Sequence, residues 1–260
     1  MTTLLAAPHS VLEVLRGQRG RRPPTNRSAA AVLRTRLDEG LRRRIGADHR
    51  ETPLTIGPAS LRARVPGGGS PSALVRAVLV TQILQLVAAG YLVEQPFDDA
   101  VGAWRAAGPQ GELHSYFEAL DAQERARLAS DVTAHGFTLT HSLGTVPRSW
   151  SPRTAVRAHQ RLADGDVVLR DLVDLMIGTT DAPLASLVLL DVTTGPLDEG
   201  AERVMRYHAL VQTLRTCAVP LRTSIFSTGT GELWSTEVDD ELLNRAADDV
   251  LALFAEESAP

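Results

Sequence analysis

The chain has 260 residues, 43% of them apolar, enough to bury a substantial core as one large domain or two small ones. A single cysteine, Cys217, excludes an internal disulfide framework and a thiolate zinc cage, and points to a reducing compartment. All 27 basic residues are arginine, so chemistry that needs a lysine amine is excluded; residues 1–50 hold eleven arginines against four acids, and the remainder is acidic.

The amino terminus lacks a basic n-region and breaks at Pro8 and His9, unlike a secretion signal, so a cytoplasmic location is expected. Val11 to Leu15 predicts a short helix. The tract RGQRGRRPPTNR that follows is broken by Gly17, Gly20, Pro23 and Pro24, and reads as a mobile linker with its charge solvated. A better specified helix comes next, capped by Asn26 or Ser28, with Ala30, Leu33, Leu37, Leu41 and Ile45 at a spacing of three to four. Its outer faces carry Arg34, Arg36, Arg42, Arg43 and Arg44. Two readings of those guanidinium groups stand side by side, one along a phosphate backbone and one as a solvated face.

Pro53 to Val65 predicts an edge strand or extended arm, bounded by the flexible GGGSP at Gly67 to Pro71, which lacks the GK[ST] of a phosphate loop. Ser72 to Ala89 nearly reaches bilayer length, but Arg76, Gln82 and Gln85 argue for a buried core helix, and no membrane association is expected. Helices are predicted over Phe97 to Ala107 and His114 to His135. The prolines of TVPRSWSPRTAV end this helical region. After a short helical stretch to Ala163, Asp164 and Gly165 turn the chain into a strand. Period-two alternation puts Val167, Leu169, Val173, Leu175 and Ile177 on one face and Asp174 on the other, with Val168, Leu172 and Met176. Leu187 to Val192 is apolar on both faces, as a sheet covered on two sides requires, and Asp191 and Thr193 point the same way. A helix over Asp198 to Thr216, strands over Leu221 to Ser227 and Glu232 to Val238 around a turn at Thr228 to Gly231, and a helix over Asp240 to Glu256 complete the chain. The fold class is α/β or α+β, a central mixed sheet preceded by a mostly helical region. The expected organisation is an arginine-rich segment over 1–50, a helical region over 51–145 and an α/β core over 146–260.

DLVDLMIG, then LVLLDVTTG, then a helix carrying RYHALVQTLR resemble the carboxyl-terminal core of RecB-type nucleases of the PD-(D/E)XK, or restriction-endonuclease-like, superfamily, over roughly Gly165 to Val238. In that family a strand ending in an acid is followed by a strand reading D-x-K-T-G and a helix whose tyrosine supports the site. The resemblance implies Asp174 and Asp191 as metal-binding acids, the Val192 carbonyl as a further ligand, Tyr207 as the supporting tyrosine and Mg²⁺ as the ion. His114, in GELH, is the counterpart of the family's upstream histidine element. Thr193 stands where the family has its lysine, and no lysine elsewhere can replace it. The glutamine expected before the helix tyrosine is also absent, with Arg203 and Val204 in that neighbourhood. Losing a preorganised charged group of this kind costs roughly 10² to 10³ in rate.

Asp171 competes with Asp174 as the strand acid; strict alternation places it among Leu169, Val173 and Leu175 and favours Asp174. His208, beside Tyr207, reads as a core helix histidine. No GxSxG elbow occurs, and His135 and His141 lack zinc-helix spacing. Three readings follow. The first is a nuclease-like protein, catalytically weak or inactive, that binds DNA through Arg34, Arg42, Arg43, Arg44 and Arg206, or binds a protein partner such as a helicase or another DNA-processing subunit. The second is a working Mg²⁺-dependent nuclease with another group in the lysine's role. The third is an interaction protein unrelated to nucleases.

Overall fold

The computed structural model describes residues 3–5, 11–17, 22–45, 52–61, 69–108 and 110–254. Within them lie strands β1 (Thr3–Leu5), β2 (Leu54–Ile56), β3 (Arg153–Leu162), β4 (Val167–Ile177), β5 (Val188–Thr193), β6 (Arg222–Ser227) and β7 (Leu233–Glu237). The helices are α1 (Val11–Arg16), α2 (Ala29–Ile45), α3 (Pro58–Leu61), α4 (Pro71–Ala88), α5 (Pro96–Ala106), α6 (Glu112–Glu118), α7 (Ala122–Leu143), α8 (Glu199–Thr216) and α9 (Asp240–Ala252). The expected mixed α+β architecture is present: one mixed sheet in the order β1-β7-β6-β5-β4-β2, with β3 also paired to β4. One face of the sheet packs on α1 and α4 to α7, with Leu175, Ile177, Val188, Leu190 and Phe226 turned toward them. The other packs on α2, α8 and α9. The sheet and its α8-side layer thus draw in α2 and β2 from the first 60 residues.

Most elements after Asp164 fall within a residue or two of their expected bounds, because glycines and aspartates punctuate them. Asp198 caps α8 by accepting from Ala201 N, and Asp239 caps α9 through Leu242 N. Gly178 ends β4 at φ +89°, where a Cβ would lie 2.2 Å from the Ser186 carbonyl oxygen, so only glycine fits. Asn26, one of the two expected caps, serves α2 by accepting from Ser28 N and Ala29 N.

Three expectations are corrected. The stretch before Ala163 is not helical but the ten-residue strand β3, antiparallel to β4 along its whole length. Its residues alternate strictly, with Val156, Ala158 and Leu162 packed inward and Arg153, Arg157, His159 and Arg161 outward. That pattern is period two. The helix expected over His114 to His135 is two helices, because Asp121 and Glu124 form a capping box that starts α7 afresh. The described end of the arginine-rich tract is not a free linker either. Pro24 forms a bridge with Leu184, Thr25 N donates to Pro183 O, Ala185 N donates to Pro23 O, and Arg27 donates to Thr180 O. Gln18 to Arg21 lie outside the described residues, as do Arg62 to Val65 of the expected arm.

Helix α4 is long and apolar enough to cross a bilayer by length and composition. Of its residues, Val75, Leu79, Val80, Ile83, Leu84, Val87 and Ala88 are buried in the protein core.

The feature that positions the site is a fork. β4 meets β3 on one edge, but the other edge is divided: β2 runs parallel to Val167–Leu169, and β5 runs antiparallel to Leu175–Ile177. Between them, residues 170–174 have no ladder partner on that edge. On the β3 side the Ala155–Asp174 step drops out of an otherwise constant register, and Ala155 sits at φ +49°. The strand bends there and alternation fails: Val167, Leu169 and Asp171 face α8, whereas Leu175 and Ile177 face the helical layer. The single expected face for Val167 to Ile177 is therefore two.

Candidate active site at the sheet fork

Three carboxyl groups and one imidazole gather in the fork, under α8. Asp171 Oδ1 lies 2.6 Å from His208 Nδ1, and Oδ2 accepts from Gln212 Nε2 at 3.1 Å. His208 and Gln212 are four residues apart and so share one side of α8. The other ring nitrogen, Nε2, is 3.7 Å from Asp191 Oδ2, a distance for charge attraction rather than a hydrogen bond. Asp174 accepts from Val192 N at 2.9 Å where β5 leaves β4, so its carboxylate takes the place of a ladder carbonyl. The β4–β5 register sets it opposite Asp191, one step beyond the Leu175–Leu190 pair, near enough for the two carboxyl groups to interact. The two acids singled out from the sequence are cross-strand neighbours.

Burial, and then the charge of neighbouring Asp191, push the Asp174 carboxyl well above the usual carboxylate range. Two adjoining carboxyls in a desolvated site do not both ionise readily, so Asp174 is held toward its protonated form. Burial alone would favour neutral His208, but the charge and hydrogen bond of Asp171, and then Asp191, override it and raise its pKa well above 6.5. His208 is therefore the resident cation of the cluster. It balances the acids from within the chain.

Tyr207 braces the gap. Its hydroxyl lies 2.9 Å from the carbonyl oxygens of Ile56 and Arg170, tying the end of β2 to the unpaired stretch of β4. Burial and the nearby Asp171 push its pKa up, so it stays a donor.

Thr193, at the lysine position, is spent on the turn after β5. Its hydroxyl accepts from Gly195 N, and its carbonyl accepts from Thr228 N at 2.8 Å and Thr228 Oγ1 at 3.1 Å. Thr228 Oγ1 in turn lies 2.9 Å from His135 Nδ1, on α7 across the sheet. His135 has its pKa lowered, first by burial and then by Arg76. Gly229 permits this packing, since a Cβ there would lie 2.5 Å from the Thr194 carbonyl oxygen.

The remaining expected site residues lie apart. His114, on α6, makes an edge contact with Trp104 in the helical layer on the other side of the sheet. Arg34 donates to Gln160 and the Arg161 carbonyl, Arg42 grips Asp164 through two nitrogens, and Arg43 and Arg44 donate to the Glu39 and Gly40 carbonyls. Arg206 holds Asp249 and Glu202. Each of these five arginines has a bonding partner within the chain. Arg170 is exposed on the outer face, so neither it nor Arg206 supplies the missing lysine's charge.

Of the residues gathered in the fork, Gln212 was not singled out from the sequence, and Asp171 was ranked below Asp174. Parity favoured Asp174 over Asp171 because the bend at Asp174 is invisible in the alternation. Gln212 carried a signal: a polar residue four after a histidine, in a helix otherwise apolar on that side.

Mg²⁺ in the fork would fall to Asp174 and Asp191, and would have to displace a proton from the first and compete with an imidazolium for the second. Asp174 tends to keep a proton and is committed to Val192 N, Asp191 has His208 as a counter-cation, and among the described residues no three His, Cys, Asp or Glu side chains are placed to hold an ion.

No family model matches the sequence, and no curated protein matches it. Among solved structures, the chain is similar to the crystal structure of a protein named SSO0001, at 12% identity and a TM-score of 0.32, over 86% of each chain. A likeness at that level carries no argument about function.

Proposed function

We propose that the chain is a nuclease-like protein of the PD-(D/E)XK type that retains its acid pair without an effective catalytic centre, and that it serves as a nucleic-acid-binding or partner-binding accessory subunit in DNA processing. The observation that supports this reading is the placing of Asp174 and Asp191 opposite one another on β4 and β5, followed by a helix whose tyrosine braces the same fork. Thr193 offers a hydroxyl, not a charge, where the family's chemistry needs a cation, and that hydroxyl is already bonded to Gly195 N.

The second reading, a working metal-dependent nuclease, draws on one observation: His208 places a positive charge beside Asp191. Cleavage assays with single- and double-stranded DNA in Mg²⁺ or Mn²⁺ separate the two. The accessory reading expects no turnover from the wild type and metal-dependent turnover from Thr193→Lys that Asp191→Ala abolishes. Wild-type cleavage lost in Asp191→Ala establishes the second reading instead. A folded Thr193→Lys variant with no gain counts against the assigned site geometry.

A further inference from the structure

The arginines of α2 are bonded within the chain, as is Arg153 at the start of β3, which donates to the Gly178 carbonyl, but the side chains of Arg157, Arg161 and Arg170 on the outward face of the β3–β4 hairpin are not. Arg157, His159 and Arg161 project outward from β3, and Arg170 and Leu172 from β4, all exposed, with Leu172 43% accessible. The register sets His159 opposite Arg170, with Arg157 and Arg161 as the diagonal neighbours of Arg170. Diagonal neighbours in an antiparallel pair stand about 7–8 Å apart. Three guanidinium groups and an imidazole therefore crowd one small area. No outward position on either strand from Arg153 to Val173 holds an acid, and among the described residues none of these four side chains has a hydrogen bond or ion pair.

Like charges at this spacing repel, and among the described residues no acid is bonded to these side chains to offset them. A polyanion would. Guanidinium forks match phosphate oxygens, and a pleated strand holds alternate side chains at a regular repeat along one line. The face has no Phe, Tyr or Trp on which a base could stack, which leaves the backbone as the main thing recognised.

We infer that Arg157, Arg161 and Arg170, with His159 between them, form a sequence-independent docking face for the phosphate backbone of a nucleic acid. This rests on the nucleic-acid part of the reading above and moves the contact from the arginine helix to the sheet. Binding there follows salt steeply and ignores base sequence.

Fluorescence anisotropy with labelled single- and double-stranded DNA of two unrelated sequences, at 50 and 200 mM salt as roughly the range over which phosphate contacts weaken strongly, tests it. The triple variant Arg157→Gln/Arg161→Gln/Arg170→Gln is expected to melt no lower than the wild type, since it removes only repulsion. It should lose about tenfold or more in affinity at the lower salt, with the slope of log K against log salt shallower by roughly 2 to 3. Arg42→Gln/Arg43→Gln on α2 should stay within about twofold of wild type, as roughly expected for arginines that contact no phosphate. A triple variant that binds as the wild type, with the same slope, overturns the docking face while leaving nucleic-acid binding intact. A wild type that binds neither DNA form at 50 mM salt, roughly the condition most favourable to phosphate contacts, overturns both that face and the nucleic-acid reading. Neither outcome touches the acid pair, whose test is the cleavage assay.

Discussion

His208 and His135 stand on opposite faces of the strands β5 and β6, and their surroundings drive them to opposite charge states. His208, under α8, sits between Asp171 and Asp191 and is held as a cation. His135, on α7, has Arg76 for a neighbour and a threonine hydroxyl for a partner, and is held neutral. The same side chain thus closes a charge cluster on one face and props a turn on the other. What separates them is the neighbouring charge, since burial pushes both the same way.

The comparison is broken most strongly at Asp171. Asp171→Ala leaves the His208 imidazole buried without its main counter-charge and Gln212 without an acceptor, and should cost about 3–5 kcal/mol in denaturant unfolding. The double replacement Asp171→Leu/His208→Leu should recover much of that loss, because it removes both members of a buried pair. A small effect of Asp171→Ala would mean that Asp171 does not hold the imidazole. Next comes Tyr207→Phe, expected to cost about 1–3 kcal/mol because the Ile56 and Arg170 carbonyls lose their donor inside the fork.

Titration sharpens the contrast through its sign. The raised pKa of His208 gives a contribution that is complete below about 6.5 and is lost as pH rises through the folded value, with a slope of up to about 1.4 kcal/mol per pH unit for one proton. Asp174, also raised, acts in the same direction from about 3.8 upward, within the same linkage rule. The lowered pKa of His135 works the other way: its contribution is present above 6.5 and is lost as pH falls from there through the folded value, with a shallower slope because this histidine is partly exposed. Unfolding followed from pH 5 to 9, roughly the span around these values, should show the alkaline decline flattened in Asp171→Leu/His208→Leu and the acid-side decline flattened in His135→Gln. Identical pH profiles in all three proteins would refute both assignments. The smallest effect is expected from Thr228→Val, about 1 kcal/mol for a part-buried hydroxyl that links His135 to the Thr193 carbonyl, read from the melting temperature.

Much of the α8-side layer was legible because its signals are local. Gly178, Asp198 and Asp239 mark ends of elements, and the apolar runs before Asp174 and Asp191 mark strands. β3 was missed although RTAVRAHQRL alternates, because its outward arginines look like a solvated helix when read by charge alone. The fork was not legible at all. It arises from a bend at Ala155 and Asp174 and from a parallel partner, β2, more than a hundred residues away in sequence, and neither leaves a mark in a window of ten. Hence Asp171 was ranked below Asp174 by parity, and Tyr207 was named for its place in a motif, while its bonding, a bridge between two carbonyls, came only with the structure.

That bridge bears on the order in which the molecule comes apart. β2 is three residues long, joins the sheet through β4 alone among the described residues, and is bolted at its end by a hydroxyl 151 positions further along the chain. A segment held so sparingly, and across such a distance, docks late and leaves early. Its amides should exchange with solvent hydrogen well before those of β5 and β6, making β2 the hinge-pin whose withdrawal would let water into the acid cluster while the rest of the sheet stays closed.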